Sequence, residues 1–251
     1  MDELGWLRLH LEWGVDEALE EQPVDRRERR AVTAMLAPVP FAPTLPTGIA
    51  TVTRAQAAAD AARTLVELRD ALANFDCALR ATATNLVFND GDPSSELMLV
   101  SDVPGPAEDR AGVPFAGQAA LFLDLMLASV GINRAATQAA CLLPWRPPGD
   151  RKPAEAEIQL CLPFLLRHLQ LAAPRHIVLF GNIVTRTLLG NEARRARGGV
   201  TNIALPGCKP LPVTALPSVL HIQATAAAKR DAWAGFMNLR RALDASPLVH
   251  S

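Results

Sequence analysis

The chain of 251 residues places several chemically capable side chains just beyond short apolar runs. Asp102 lies in the turn Ser101-Asp102-Val103-Pro104-Gly105 that follows Leu97-Met98-Leu99-Val100. Its carboxylate could handle water or a cation, or simply bond its own backbone as turn aspartates do. Cys141 opens the segment CLLPWRPPGDRKP and brings a thiol, a weak donor and weak acceptor. Phe115, in VPFAG, offers a flat ring for stacking, although core packing is the commoner fate of a phenylalanine. His221 offers a hydrogen-bond donor, where a lone histidine is more often a satisfied structural residue. His168 and His176 stand in no such context and receive no role. The four cysteines (Cys77, Cys141, Cys161, Cys208) are widely spaced without a CxxC pair, so neither a disulfide framework nor a zinc motif is indicated. Net charge is −1 and the pI about 6.5, so nucleic-acid binding would rest on local clusters. The candidates are Arg146, Arg151 and Lys152; Arg194, Arg195 and Arg197; and Lys229 with Arg230. Each reads equally as a solvated charged face.

Elements of regular structure must position these groups. Leu4, Leu7, Leu11 and Val15 fall at helical spacing, so residues 1–37 are expected to form an N-terminal helical extension. Residues 38–53 include PVPFAPTLPTG, whose prolines predict a linker, and the compact domain is expected over 54–251. Within it the pattern predicts helices over 54–73, 117–129, 154–171, from 182, and over 226–243. Strands are expected at 97–100, 138–143, 176–180 and 211–215. Strands alternating with helices of this length predict an α/β fold, a three-layer α/β/α sandwich around a central, mainly parallel sheet. Sites in such sheets lie beyond the carboxyl ends of the strands, which selects segments 101–118, 141–153 and 217–225. A composition 49% hydrophobic and 20% charged is that of an ordinary globular protein. The N-terminus lacks a signal-peptide pattern and no apolar run reaches the ~18–20 residues of a membrane span, so a cytoplasmic location without membrane contact is expected.

Those three segments carry a resemblance. Residues 97–118 (LMLVSDVPGPAEDRAGVPFAGQ) resemble the motif GEAPG…ED…G.PF.G of family 4 of the uracil-DNA glycosylase superfamily. Residues 141–153 resemble its asparagine-bearing strand followed by RPPGNR.P. Glu157 to Phe164 and His176 to Gly190 resemble the next helix, strand and helix. His221 with Lys229-Arg230-Asp231-Ala232-Trp233 resembles the terminal H…KR.AW segment. The resemblance implies the fold of that superfamily and hydrolysis of the bond joining a flipped uracil, or another deaminated base, to its sugar, because that bond is out of reach inside a duplex. It further implies that Phe115 stacks on the base, that the backbone of Pro104 and Gly105 approaches it, and that Asp102, standing for glutamate, orients water and stabilises positive charge on the sugar. His221 would donate to the base oxygen as negative charge develops, and Arg146, Arg151 and Lys152 would face DNA.

The sequence also departs from the pattern. The base-reading asparagine is replaced by Cys141, which either admits a different base or is a small buried strand residue. Ser101 replaces a glycine. His221 is followed by Ile222-Gln223-Ala224-Thr225, which has no large residue after Ile222 to serve as the apolar wedge that fills the gap left by a flipped base. Many family 4 members hold a [4Fe–4S] cluster with four cysteines. Asn74, Cys77, Trp145 and Cys161 stand at those positions, and two thiols do not make the set, so no cofactor is expected. The alternative to a base-excision enzyme is an inactive or weak paralogue that binds DNA, or a protein partner through the N-terminal helix.

Overall fold

The computed structural model describes residues 39–40, 49–194, 196–206 and 209–245. The N-terminal helix expected before residue 38 therefore lies outside the described residues. All of these residues fall in one compact unit, Leu36–Ser251. Part of the stretch read as a linker is structured: Val39–Pro40 forms strand β1, and helix α1 begins at Ile49 (Ile49–Ala61).

Among the described residues a seven-stranded sheet forms the middle of this unit, in the order β1-β6-β7-β5-β3-β4-β2. The strands are β2 (Asn89–Gly91), β3 (Leu97–Ser101), β4 (Gln138–Cys141), β5 (His176–Phe180), β6 (Val200–Ala204) and β7 (Leu211–Leu216). The four central strands β7-β5-β3-β4 run parallel, while β2 and β6 pair antiparallel with β4 and β7. All residues of β3, β4 and β5 are buried, as expected of parallel strands covered on both faces.

Side chains alternate along these strands, so each face builds its own core. Met98, Val100, Ile177 and Leu179 pack with α1, with α2 (Leu65–Ala73) through Leu68 and Leu72, and with α6 (Glu155–Ala172) through Ile158, Cys161, Leu162, Leu165 and Leu169. Leu97, Leu99, Val178 and Phe180 pack on the other face against α5 (Gln118–Ser129) and α9 (Ala226–Ala245) through Leu123, Leu127, Phe236 and Leu239. Three layers result, as the alternation of elements predicted. The single helix expected over 54–73 is two, broken at residues 62–64. Thr64 caps the second by accepting the Glu67 N–H at 3.1 Å, a T-x-x-E start signal that helical periodicity alone passes over. Three short helices complete the set near the strand ends: α3 (Ala78–Thr82), α4 (Pro106–Ala111) and α8 (Val219–Ala224), with α7 (Asn182–Leu189) after β5.

Candidate active site

The register of the parallel strands lines up Cys141, Ser101, Phe180 and Leu216 across β4, β3, β5 and β7. The residues that follow form a rim at the carboxyl end of the sheet: Leu142, Asp102, Gly181 and Pro217. The three segments selected from sequence sit on or just beyond this rim.

Asp102 does not bond its own turn. Its Oδ1 accepts the Val184 N–H at 2.6 Å, and its carboxylate also takes the N–H groups of Ile183 and Asn182. It thus caps α7, a helix whose own N-cap residue, Gly181, has no side chain to offer. Burial raises the Asp102 pKa from the ordinary carboxylate value, and these three donors and the Arg186 charge oppose that rise. The approach is close enough to dictate the residue at 181. Gly181 has φ +127°, and a Cβ there would fall on the Asp102 carboxylate, well inside 3.0 Å.

A second carboxylate organises the Phe115 turn. Glu108, on α4, accepts the Gly105 N–H and, at 2.7 Å, the Phe115 N–H. Arg134 closes the turn from the other side by donating to the carbonyls of Phe115 (3.0 Å) and Pro114 (3.2 Å). Arg134 is itself steadied by Asp90 at 3.2 Å and Asp124 at 3.4 Å. Between these clamps Phe115 holds φ +52°, an uncommon conformation for a phenylalanine that surrounding contacts must impose. Its ring is 2% exposed and meets Phe180 edge-on at 5.4 Å, so in this structure it belongs to the core on the α5/α9 face. Pro104 is buried and Gly105 half-buried at the N-terminus of α4. Sequence reading missed Glu108 and Arg134. For Glu108 a signal existed, since an acid three residues past a glycine helix start is the spacing that reaches back to the cap. For Arg134 there was none.

Cys141 is buried with its Sγ 3.0 Å from Ser101 Oγ. Burial raises the thiol pKa far above its ordinary value, and the Glu108 and Asp102 charges add to the rise. The thiol is therefore neutral and unreactive as a nucleophile. The same interactions place both carboxylates near it, so Asp102, Glu108, Ser101, Cys141 and Phe115 gather at the ends of β3 and β4.

His221 stands apart, two strands along the rim. The segment after Pro217 is helix α8, which buries Ile222 and exposes Leu220 (61%) and His221. His221 lines a cleft of about 560 Å³ together with Asn182, Thr185, Arg197, Leu216 and Pro217. Phe115, Cys141 and Asp102 do not line it. The rim thus holds two groupings: a buried one at β3 and β4, and an open one at β7.

The cations expected to face DNA are mostly engaged. Arg146 pairs with Asp150 through two contacts of 2.8 Å and lies 4.0 Å from Asp109, and Arg151 pairs with Glu157 at 2.6 and 2.8 Å. These carboxylates hold both guanidinium pKa values above the usual range. Lys152 is exposed. Exposed ion pairs are weak, so a phosphate could displace them, but two of the three cations already hold carboxylate partners.

At the positions where a cluster was considered, Asn74 caps α2 with its amide donating to Asp70 O at 2.9 Å, and Trp145 is buried. Cys77 and Cys161 are free thiols, and burial, then the nearby Cys77 and Glu157, push the Cys161 pKa well up. This donor set does not fit a four-thiolate cluster. Among the described residues no group of three or more His, Cys, Asp or Glu is arranged to hold a metal, and no helix is long and apolar enough to cross a membrane.

Residues 88–236, more than half of the chain, match the uracil DNA glycosylase superfamily. Similar curated proteins include the type-4 uracil-DNA glycosylase of Pyrobaculum aerophilum, 33% identical over 133 residues, which cover 53% of this chain and 68% of that protein. The type-4 uracil-DNA glycosylase of Archaeoglobus fulgidus is 34% identical over 47% of this chain and 60% of its own length. That of Sulfurisphaera tokodaii is 36% identical over 44% and 50%. The matched region spans between half and about two thirds of these relatives.

Proposed function

Because the chain belongs to the uracil DNA glycosylase superfamily, we propose that it is a DNA base-excision glycosylase, hydrolysing the N-glycosidic bond of a uracil or other deaminated base flipped out of the strand. The observation that carries this reading is the rim itself. Four parallel strands end in register, and an acid, an exposed imidazole and a clamped phenylalanine turn are set along their carboxyl edge. The names of the similar proteins favour an enzyme over a silent DNA binder.

In this reading the base enters the cleft at the end of β7, where His221 donates to its carbonyl oxygen as the glycosidic bond lengthens and negative charge passes to the base. The Asp102 carboxylate, fixed by the α7 N–H groups, lies along the same rim and stabilises the positive charge left on the sugar. Water then completes the hydrolysis. Phe115 stays in the core on the α5/α9 face and does not stack on a base held in the cleft. Cys141, a neutral thiol paired with Ser101, lies outside that cleft and offers the base no amide to read its edge, so discrimination of the base is weaker than an amide there would give. DNA is the partner, which puts the protein's work inside the cell, in the cytoplasm. No iron–sulfur cluster is needed, and protein purified without oxygen should contain no iron or sulfide.

Single-turnover excision on uracil-containing single- and double-stranded DNA tests the proposal, with hypoxanthine and xanthine substrates beside it. His221→Ala is the clean variant, because the side chain is exposed and no fold contact depends on it. It should lower base release by about 10²–10³-fold, the usual effect of removing a preorganised donor. Failure of folded wild-type protein, in excess, to release any base would overturn the reading.

A further inference from the structure

Beside the His221 cleft lies a hollow of about 260 Å³ lined by Asn182, Thr185, Arg186, Ala193, Arg194 and Arg197. It shares Asn182, Thr185 and Arg197 with the cleft, so the two form a continuous depression. Among the described residues no carboxylate lines the hollow, and only Asp231 carries one in the lining of the cleft. Arg186, Arg194 and Arg197 are all exposed, and none is ion-paired among the described residues. Two of them are aimed by one residue: Arg197 donates to Asn182 Oδ1 at 3.0 Å and Arg186 Nε reaches the Asn182 carbonyl at 3.4 Å. The Asp102 charge interacts with Arg186 but is held by the α7 N–H groups.

From this arrangement we propose that Arg186, Arg194 and Arg197 form the track for the phosphodiester backbone leading to the His221 cleft. Guanidinium forks match phosphate oxygens in pairs, and these three have no carboxylate partner to give up first. Arg146 and Arg151 do, through Asp150 and Glu157. The strand therefore lies over the β5–β7 side of the rim, and the loop after β4 adds little to its affinity. The idea rests on DNA being the substrate, but it is tested without excision.

The experiment measures binding of a uracil-free single-stranded oligonucleotide by fluorescence anisotropy across a salt series. Three lost phosphate contacts reduce the log–log salt slope by about 2, at ~0.7 per contact on single strands. The triple variant Arg186→Gln, Arg194→Gln, Arg197→Gln should show that reduction with an unchanged urea midpoint, since the three side chains are exposed. The double variant Arg146→Gln, Arg151→Gln should change the slope by less than about half as much. A nucleoside monophosphate should not displace the oligonucleotide. An unchanged slope in the triple variant, a loss confined to the double variant, or full displacement by the mononucleotide would each overturn the track. Arginine-dependent binding without base release would refute the glycosylase reading and leave the track standing. Uracil release with an unaltered slope would do the reverse.

Discussion

Gly181→Ala should be among the most damaging single-methyl substitutions available in this fold, and its cost should depend on a residue distant in sequence. At φ +127° the backbone at 181 is in a region that only glycine occupies comfortably, so any side chain costs ~1–3 kcal/mol. The new methyl group also falls on the Asp102 carboxylate and forces it off the N–H groups of Asn182, Ile183 and Val184. Loss of hydrogen bonds to a charged acceptor adds ~1.5–3 kcal/mol. The total, about 3–5 kcal/mol, is a large share of the ~5–15 kcal/mol that holds a domain together. Asp102→Ala should cost ~1–3 kcal/mol through the lost cap. Removing the carboxylate also removes the obstacle, so Gly181→Ala in that background should cost only its backbone share. Urea denaturation of the two single variants and the double variant would give the coupling, expected at ~1.5–3 kcal/mol in favour of the double variant. Additivity within ~0.5 kcal/mol would show that Asp102 and α7 are not joined in this way.

Acid should destabilise the fold through His168 and His176, whose burial lowers both pKa values to about 4. The unfolded chain then binds more protons between about pH 4 and 6.5, so stability falls as pH drops through that window, by up to ~3 kcal/mol per histidine. His168 stacks on Phe88 at 4.8 Å with its Nε2 unpartnered, so His168→Leu should flatten the slope without lowering stability at pH 7. A denaturation midpoint with the same pH dependence in that variant would contradict this. Glu108→Gln should cost ~1–3 kcal/mol in urea, because an amide cannot accept from the Gly105 and Phe115 N–H groups as both carboxylate oxygens do. It should also reduce kcat of base release more than it raises KM, and an unchanged kcat would detach the Phe115 turn from the chemistry.

The central strands and long helices were legible because burial writes itself into the sequence. Ile177–Phe180 is an unbroken apolar run, and α6 repeats its apolar residues at helical spacing. The edges were not. Asn89–Gly91 and Val200–Ala204 are short, partly exposed strands that exist because β4 and β7 offer them backbone partners, and nothing in NDG or VTNIA announces a partner. For the site, residue types and order placed every candidate on or near the carboxyl rim, yet their partners were invisible. The Asp102 contact spans 82 positions to Val184 and the Arg134 contact 19 to Phe115. Spacing along a chain reports neighbours within an element, and both of these bonds join different ones. The same limit hid the pairing of Arg146 and Arg151, where counting cations suggested a positive face and the folded loop neutralises two of its three cations.

The capping of α7 by Asp102 has a consequence for how sequences of this kind are compared. An acid at that position stabilises the start of a helix beside a glycine that has no room for a side chain. A lineage that has abandoned catalysis altogether would still keep the acid and the glycine together, because losing either loosens the sheet edge. Their joint presence is a mark of foldability. The solvent-facing imidazole at 221 has no such structural duty, so on the proposed reading it is the position at which a loss of catalysis would first be written.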